Sequence, residues 1–319
     1  MPETVNVVEN LIKQIREYIN DPRKHYKLRQ NKPLFSQLCS SLDVIGDTEQ
    51  AITAFEAKEF GDSTAVHYLA VYGLFQVIYV QQDAVNNLCE ALKIPVNTNN
   101  YPKLKQIRDI RNEAVGHPTK KDKPKSKPIS YHHISRASLS PTGFDMLSFY
   151  NDGTYRHMHI NISEWIGEQR KCISAILSTL TGRLKAEDKA HKEKFRMEKL
   201  VNLLPQAMDY EFGKVFEGIN TPSNRGNGAI CLKIIHDSYN KLIEKLKERE
   251  EYPANDVLVY HIDYILYPIN KLEAFFEESA ENTLSEKDAY IFASFLSNKH
   301  SYILELLKEI DKEYEKGTQ

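Results

Sequence analysis

The chain has 319 residues, of which 41% are hydrophobic and 27% are charged, and its formal net charge is −2. This composition excludes a largely disordered chain and a collagen-like repeat, and the small net charge gives the whole chain no nucleic-acid signature. The charge is unevenly distributed, with a net of +5 over residues 1–185 and −7 over residues 186–319. Residues 101–136 are the most basic stretch, with ten basic and three acidic side chains, so a surface that binds phosphate is expected there.

The cysteines and the N-terminal sequence bear on the compartment. Cys39, Cys89, Cys172 and Cys231 include no C-x-x-C pair, and their spacing matches neither a disulfide framework nor a zinc site. The first residues lack the basic and apolar regions of a signal peptide, and the longest apolar stretch, 65–80, is too short to span a bilayer. We therefore expect a soluble, cytoplasmic protein that does not associate with membranes.

Long helices dominate the predicted elements, since Gly and Pro number only 13 each. Asp47, with Gln50 three residues later, resembles a capping box, and Ser63 is a candidate N-cap. The helix that follows Ser63 is hydrophobic on most faces and should be central in a bundle. Apolar spacing predicts helices over 5–19, 34–42, 47–60, 63–93 and 102–115.

The periodicity changes after residue 128. Residues 129–138, 144–150 and 154–161 are rich in Tyr, Phe, Ile, Ser and Thr, and the Asn-Asp-Gly triplet at 151–153 is a strong hairpin signal. We predict a small antiparallel meander inserted at about 129–161, followed by a helix over about 164–184 that Ser163 caps.

The remainder of the chain has a helical pattern, which predicts a mainly α protein with two domains. The first is a helical bundle over 1–185 that contains the β insertion, and the second is an all-α domain over 186–319. Helices of the second domain are expected at about 187–218, 228–250, 255–280 and 284–315.

The segment most informative about chemistry is 108–117, which reads Arg-Asp-Ile-Arg-Asn-Glu-Ala-Val-Gly-His. Arg111 and His117 are six positions apart, about 240° around an ideal helix, so they would not share a face if the helix continued. Gly116 permits a left-handed residue that ends the helix, and Pro118 follows, so His117 can turn back beside Arg111. This pair suits RNA cleavage, because the imidazole can exchange a proton with the 2′-hydroxyl or the leaving group while the guanidinium holds the phosphate.

This segment resembles the R-x(4–6)-H motif of the HEPN superfamily (higher eukaryotes and prokaryotes nucleotide-binding domain), with the polar Asn112 directly after the arginine. The resemblance covers about 35–185 and implies an α-helical bundle that forms a homodimer, with two motifs facing one cleft. It also implies a metal-independent endoribonuclease without a cofactor, acting as a toxin or in antiviral defence. Arg111 would hold the scissile phosphate, His117 would transfer the proton, and Asn112 would position the cleft. The products would be a 2′,3′-cyclic phosphate and a 5′-hydroxyl.

The same resemblance makes the 63–93 helix the neighbour of the motif, with Gln82 or Asp83 able to reach the cleft. Two features depart from the family pattern. The hairpin insertion is not part of the minimal domain, and Pro118 and Thr119 follow the histidine, so the R-x4-H-x-Y form is absent. The C-terminal domain matches no family and could control activity or recognise a trigger or antitoxin protein.

An alternative interpretation gives the motif no catalytic role. Arg111 could pair with Glu113 or Asp109 on a solvated face, and His117 could simply end the helix. The chain would then be a non-catalytic HEPN-like module that binds RNA or nucleotide, or a helical interaction scaffold.

RNA contacts could come from a lysine-rich loop and from aromatic side chains. Tyr131, Tyr150 and Tyr155 could stack on bases, although Tyr is also common in strands for structural reasons. The loop is either a solvated segment or a set of phosphate contacts. Its lysines are Lys120, Lys121, Lys123, Lys125 and Lys127.

Four histidines suggest a metal site, which we weigh against surface or RNA-contacting roles. His157 and His159 point to one face of a strand, as zinc ligands can. His132 and His133 lie on the first strand, which is not adjacent to the third in a meander, and no carboxylate is spaced to complete the site. We therefore predict no metal.

Overall fold

The computed structural model describes residues 7–121, 129–204, 208–278 and 283–316. Within these ranges it has ten α-helices and one three-stranded antiparallel sheet, which confirms the mainly α fold with a small β insertion. The helices are α1 (Val7–Ile19), α2 (Pro22–Arg29), α3 (Lys32–Glu56), α4 (Thr64–Ala91), α5 (Pro102–Arg111), α6 (Ile162–Phe195), α7 (Asp209–Asn220), α8 (Arg225–Glu248), α9 (Asp256–Phe276) and α10 (Glu286–Lys316). The strands are β1 (Ser130–Ile134), β2 (Gly143–Tyr150) and β3 (Tyr155–Asn161).

The chain divides into two compact units. The first unit comprises the residues up to Ile19 together with 28–184, and the second comprises 20–27 together with the residues from Lys185 onward. The segment 20–27 therefore belongs to the second unit, although the sequence analysis predicts it within the first domain, 1–185. The division falls inside α6, which is continuous from Ile162 to Phe195.

The first half of the bundle differs from the sequence prediction at α3. This element is one helix rather than two, and Asn31 caps it by accepting a hydrogen bond from the Leu34 N–H at 3.2 Å. The predicted capping box at Asp47 is wrong, because Asp47 is exposed in the middle of the helix. Ile45 and Ile52, on either side of it, are both fully buried. Burial of one continuous apolar face therefore outweighs the local capping signal.

The central helix of the first unit is α4, as its apolar sequence predicts. It has 28 residues, and its N-cap is Ser63, whose side chain accepts from the Val66 N–H at 3.3 Å. The predicted Ser163 cap of α6 is wrong, because Asn161 accepts from the Glu164 N–H at 3.1 Å instead.

The sheet is a meander with the strand order β1-β2-β3. The predicted hairpin turn is confirmed, with Gly153 at φ +86° and its N–H donating to the Tyr150 carbonyl at 3.0 Å. One face is packed into the core through Phe144, Met146 and Ile160, all fully buried. The other face is formed by the alternate residues of each strand.

A chain of buried polar side chains crosses the first unit's core. Glu49 on α3 accepts hydrogen bonds from Arg170 Nε at 2.6 Å and from Gln81 Nε2 at 3.0 Å. Gln169 on α6 donates to Gln81 Oε1 at 3.0 Å and accepts from Gln82 Nε2 at 2.9 Å. Each amide thus finds a partner inside the core, as buried polar groups require.

The second unit is entirely helical in its described part. The single helix predicted over 187–218 is wrong, since α6 ends at Phe195 and α7 begins at Asp209. Asp311 on α10 holds the intervening segment by accepting from the Leu200 and Val201 N–H groups at 2.9 and 3.0 Å. Across both units, none of the described helices combines the length and the apolarity needed to cross a membrane.

Candidate functional site

The arginine–histidine motif lies where α5 ends. The chain continues in a π-helical turn over Asn112–Gly116, in which the His117 N–H donates to the Asn112 carbonyl at 2.8 Å. The left-handed turn expected at Gly116 is wrong, because Gly153 is the one described glycine with a positive φ. The wider turn ends the helix instead, and such turns are frequent at functional sites.

The guanidinium of Arg111 is held in one position from several sides. Its Nη1 donates to Asn112 Oδ1 at 3.0 Å, and its Nη2 donates to Gln76 Oε1 at 2.5 Å. Its Cζ lies 4.4 Å from the ring centroid of Tyr79. Gly116 leaves room for it, since a Cβ atom there would lie 3.0 Å from Nη1. The glycine therefore serves a close approach rather than an unusual backbone conformation.

The charge of Arg111 is not neutralised, in contrast to that of its neighbour Arg108. Both guanidinium groups lie 4.4 Å from the Tyr79 ring centroid. Arg108 forms an ion pair with Asp83 at 2.7 Å, whereas Arg111 bonds only to neutral amide oxygens in the part of the chain that the structure describes. Arg111 Nε is buried without a hydrogen-bond partner there. The arrangement leaves a fixed positive charge that could hold an anion.

Glu113 does not pair with Arg111 but connects the π-helical turn to the sheet. Its carboxylate is 3.2 Å from Lys121 Nζ and 2.7 Å from Arg156 Nη2 on β3. Burial acts to raise the pKa of Glu113, but Lys121, Arg156 and the nearby His132 outweigh it and hold the pKa below its usual value. The group is therefore ionised at neutral pH.

His117 is exposed at the end of the same turn, with a backbone φ of −139°. No described side chain hydrogen bonds to its imidazole. The structure thus brings Arg111, Asn112 and Gly116 into contact and leaves the His117 ring accessible to a ligand from solvent.

The two candidate cleft residues on α4 reach the motif helix through Arg108. Gln82 is buried, donates to the Leu104 carbonyl at 3.3 Å and accepts from Arg108 Nε at 3.3 Å. Asp83 is half-exposed and forms the Arg108 ion pair. Both therefore position α5 against α4.

The lysine loop is described only at its start. Lys121 bonds to Glu113, and the backbone N–H of Lys121 donates to the Ser130 carbonyl at 2.9 Å. Lys120 is exposed. The other three candidates, Lys123, Lys125 and Lys127, lie outside the described residues.

The histidines of the sheet have separate environments. His132 is buried, with Nδ1 2.8 Å from Ser148 Oγ and Nε2 2.9 Å from Ser130 Oγ. His133 is exposed and stacks on Phe149, with ring centroids 5.2 Å apart.

A carboxylate that the sequence analysis missed lies beside the other two histidines. Asp145 Oδ1 is 2.8 Å from His159 Nδ1, and Oδ2 is 3.8 Å from His157 Nε2. The hydrogen bond from His159 holds the pKa of Asp145 below its usual value. Strand register, which pairs Asp145 with His159, was needed to find it. Among the described residues, no group of three or more His, Cys, Asp or Glu side chains is arranged to hold a metal ion.

Gln76 and Tyr79 were also missed as partners of Arg111. The signal was the spacing of positions 76, 79 and 83, which places their side chains on one face of α4. That face is the one on which Arg108 and Arg111 lie.

Comparison with known proteins identified no relative of this chain. No family model matches the sequence, and neither a curated protein nor a solved structure matches the chain. The chemistry of the described side chains is therefore the basis on which a function can be assigned.

Proposed function

We propose that this chain is a metal-independent endoribonuclease of the HEPN type. The observation that carries the proposal is the guanidinium of Arg111, which is fixed by Gln76, Asn112 and Tyr79 but is not neutralised by a described carboxylate. A preorganised cation of this kind stabilises the charge that develops on a phosphate in the transition state. The exposed imidazole of His117, at the end of the same turn, is available for proton transfer.

The reaction follows from these two groups. His117 removes the proton of a ribose 2′-hydroxyl, and the 2′-oxygen attacks the adjacent phosphorus atom. Arg111 binds a non-bridging phosphate oxygen. The bond to the 5′-oxygen breaks, and the protonated His117 returns a proton to that oxygen, which leaves a 2′,3′-cyclic phosphate and a 5′-hydroxyl. Asn112 acts as a positioning residue, since its side-chain oxygen holds Arg111 Nη1.

The proposal includes a homodimer in which α4 and α5 of two copies meet. Leu69 and Tyr72 on α4 are 74% and 38% exposed, and Gln76, the partner of Arg111, follows on the same face. Contiguous exposed apolar surface marks protein contact sites, and we place the dimer contact at these two side chains. Pairing through this face would bring two Arg111 side chains toward one cleft.

The cellular role that we propose is that of a toxin or antiviral-defence protein in the cytoplasm. All four cysteines are unpaired, as expected in a reducing compartment. The second unit would receive a trigger or antitoxin protein, because exposed aromatic side chains line α9 and α10 and such side chains are enriched at protein interfaces. These are Tyr260, Tyr264, Tyr267, Tyr290 and Tyr302.

The test is cleavage of mixed cellular RNA by the purified chain in excess EDTA. We expect wild-type cleavage to yield cyclic-phosphate ends. His117→Ala and Arg111→Ala should each lower the rate about 100-fold or more. The matched control is His261→Ala, which removes a histidine from the second unit and should leave the rate unchanged.

Two results would contradict the proposal. Equal cleavage by wild type and His117→Ala would place the activity elsewhere or in a contaminant. If no variant and no dimer cleaves RNA, but Arg111→Ala weakens RNA binding, the non-catalytic binding module is favoured.

A further inference from the structure

The outer face of the sheet carries a row of exposed aromatic rings that crosses all three strands. Tyr131 on β1 lies opposite Phe149 on β2, which lies opposite Tyr155 on β3. These side chains are 41%, 42% and 73% exposed. Because neighbouring strands are about 4.8 Å apart, the three rings lie side by side on one surface.

A second row extends this surface toward the other end of the strands. His133, Leu147 and His157 are aligned in the same way. The His133 ring stacks on Phe149 at 5.2 Å with an interplanar angle of 27°, which joins the two rows. These six residues form what we call the aromatic face. Tyr150 is not part of it, since it pairs with the buried Ser130 on the opposite side.

We propose that the aromatic face binds the unpaired bases of single-stranded RNA by stacking, on the same unit that carries the arginine–histidine motif. This inference rests on the proposed nuclease function and adds a substrate class to it. Every base has a flat π surface, and aromatic side chains stack on it without sequence preference. Bases in a duplex are already stacked on each other, so the face selects unpaired RNA.

The surrounding charge fits a polyanion that carries flat bases. The described parts of the basic stretch, 101–121 and 129–136, include the motif and β1 and carry seven basic and two acidic side chains. Within the strands and the turn that joins β2 and β3, the acidic side chains are Asp145, which is hydrogen-bonded to His159 at 2.8 Å, and the exposed Asp152. Among its described residues, the basic stretch therefore offers an RNA backbone more positive than negative charge.

The sheet is also attached directly to the motif. Glu113, inside the π-helical turn, forms an ion pair with Arg156, the residue that follows Tyr155. The His132 N–H donates to the carbonyl of Pro118 at 2.7 Å. Arg156 and His132 are the strand partners of the buried Ser148, so these contacts lie on the opposite face of the sheet from the aromatic face. The motif and the aromatic face therefore belong to the same unit but lie on different sides of the sheet.

The experiment measures binding of a fluorescent oligouridine of about 12 nucleotides by anisotropy. The protein is the full chain with His117→Ala, in EDTA, so that the RNA stays intact. Adding Tyr155→Ala or Phe149→Ala should weaken binding about 5- to 100-fold, whereas Tyr155→Phe, which keeps the ring, should bind as before. Tyr210→Ala is the matched control, because Tyr210 is 67% exposed in the second unit. A duplex RNA of equal length should bind more weakly.

The inference would be overturned if Tyr155→Ala bound RNA as tightly as the parent protein, or if Tyr155→Phe lost as much affinity as Tyr155→Ala. It would also be overturned if duplex and single-stranded RNA bound equally well. Circular dichroism confirms that every variant is folded. If the wild type cleaves RNA and Tyr155→Ala has the same KM, the stacking role is wrong but the proposed nuclease function stands. If RNA binding depends on Tyr155 but the wild type does not cleave RNA, the aromatic face is supported and the proposed nuclease function is rejected.

Discussion

The guanidinium of Arg111 lies directly against the backbone of Gly116, where a Cβ atom would stand 3.0 Å from Nη1. The same group is fixed on its other sides by Gln76 and by the ring of Tyr79. A methyl group at position 116 would therefore push the guanidinium by a few tenths of an ångström. A cation that must meet a phosphate precisely is sensitive to such a shift.

Gly116→Ala should lower RNA cleavage about tenfold while the chain stays folded. The measurement is the initial rate on single-stranded RNA beside a urea unfolding curve. Gly182→Ala is the control, since a Cβ at this position on α6 meets nothing within 4 Å. It should leave cleavage unchanged and stabilise the helix by about 0.5–1 kcal/mol. Full activity of Gly116→Ala would mean that Arg111 tolerates displacement.

Local signals in the sequence predicted the elements that depend on neighbouring residues. Ser63 begins α4 because its side chain caps the first turn, and Gly153 turns the hairpin because it accepts a positive φ. The signal at Asp47 failed because buried side chains on both sides keep α3 continuous. Where the local capping signal was ambiguous, burial of side chains in the core determined whether the helix continued.

The candidate site was predictable only in part, because its partners come from different elements. The spacing of Arg111 and His117 identified the segment, but the turn between them is π-helical rather than left-handed. Tyr79 contacts the motif through helix packing, and Asp145 meets His159 through strand register. Both contacts join residues that are far apart in the sequence, so neighbouring residues do not predict them.

Tyr79→Leu should destabilise the first unit by about 1–2 kcal/mol, because two cation–π contacts of about 0.5–1 kcal/mol each are lost. It should also reduce cleavage, since Arg111 loses one of its supports. Tyr79→Phe keeps the ring and should resemble the wild type in both respects. Urea unfolding followed by the fluorescence of Trp165 measures the effect, because this single tryptophan packs against the first unit's core. Equal losses in both variants would point to the hydroxyl group instead.

Glu113→Gln should lower the free energy of unfolding at pH 7 by about 1–3 kcal/mol, since Lys121 and Arg156 lose their charged partner. The folded-state pKa of Glu113 lies below its usual value of 4.5. The stabilisation is therefore complete above pH 4.5 and is lost as the pH falls through the folded-state pKa.

The pH dependence gives this prediction its control. The wild type should lose stability below pH 4.5 more steeply than Glu113→Gln, again measured through Trp165 fluorescence. Glu59→Gln, at an exposed position, should follow the wild-type curve. Parallel curves for all three proteins would show that the ion pairs contribute nothing.

Leu69→Glu should convert the proposed dimer to a monomer, because it places a charge on the exposed apolar face of α4. Cleavage should fall with dimerisation if two motifs share one cleft. Sedimentation velocity gives the mass, and Met197→Glu, at an 88% exposed position in the second unit, is the control. A wild-type monomer that cleaves RNA would remove the composite cleft from the proposal.

The buried chain of amides between Glu49 and Gln82 also fixes how the helices of the first unit are aligned. Apolar contacts between helices specify their alignment less strictly than a buried polar residue does. A slide of one turn would separate Gln81 and Gln169 from their hydrogen-bond partners inside the core, and an unpaired buried amide is costly. Since Gln82 also accepts from Arg108, this alignment sets the height of α5 along α4. The same hydrogen bonds that make one packing unique therefore determine where Arg111 meets Gln76.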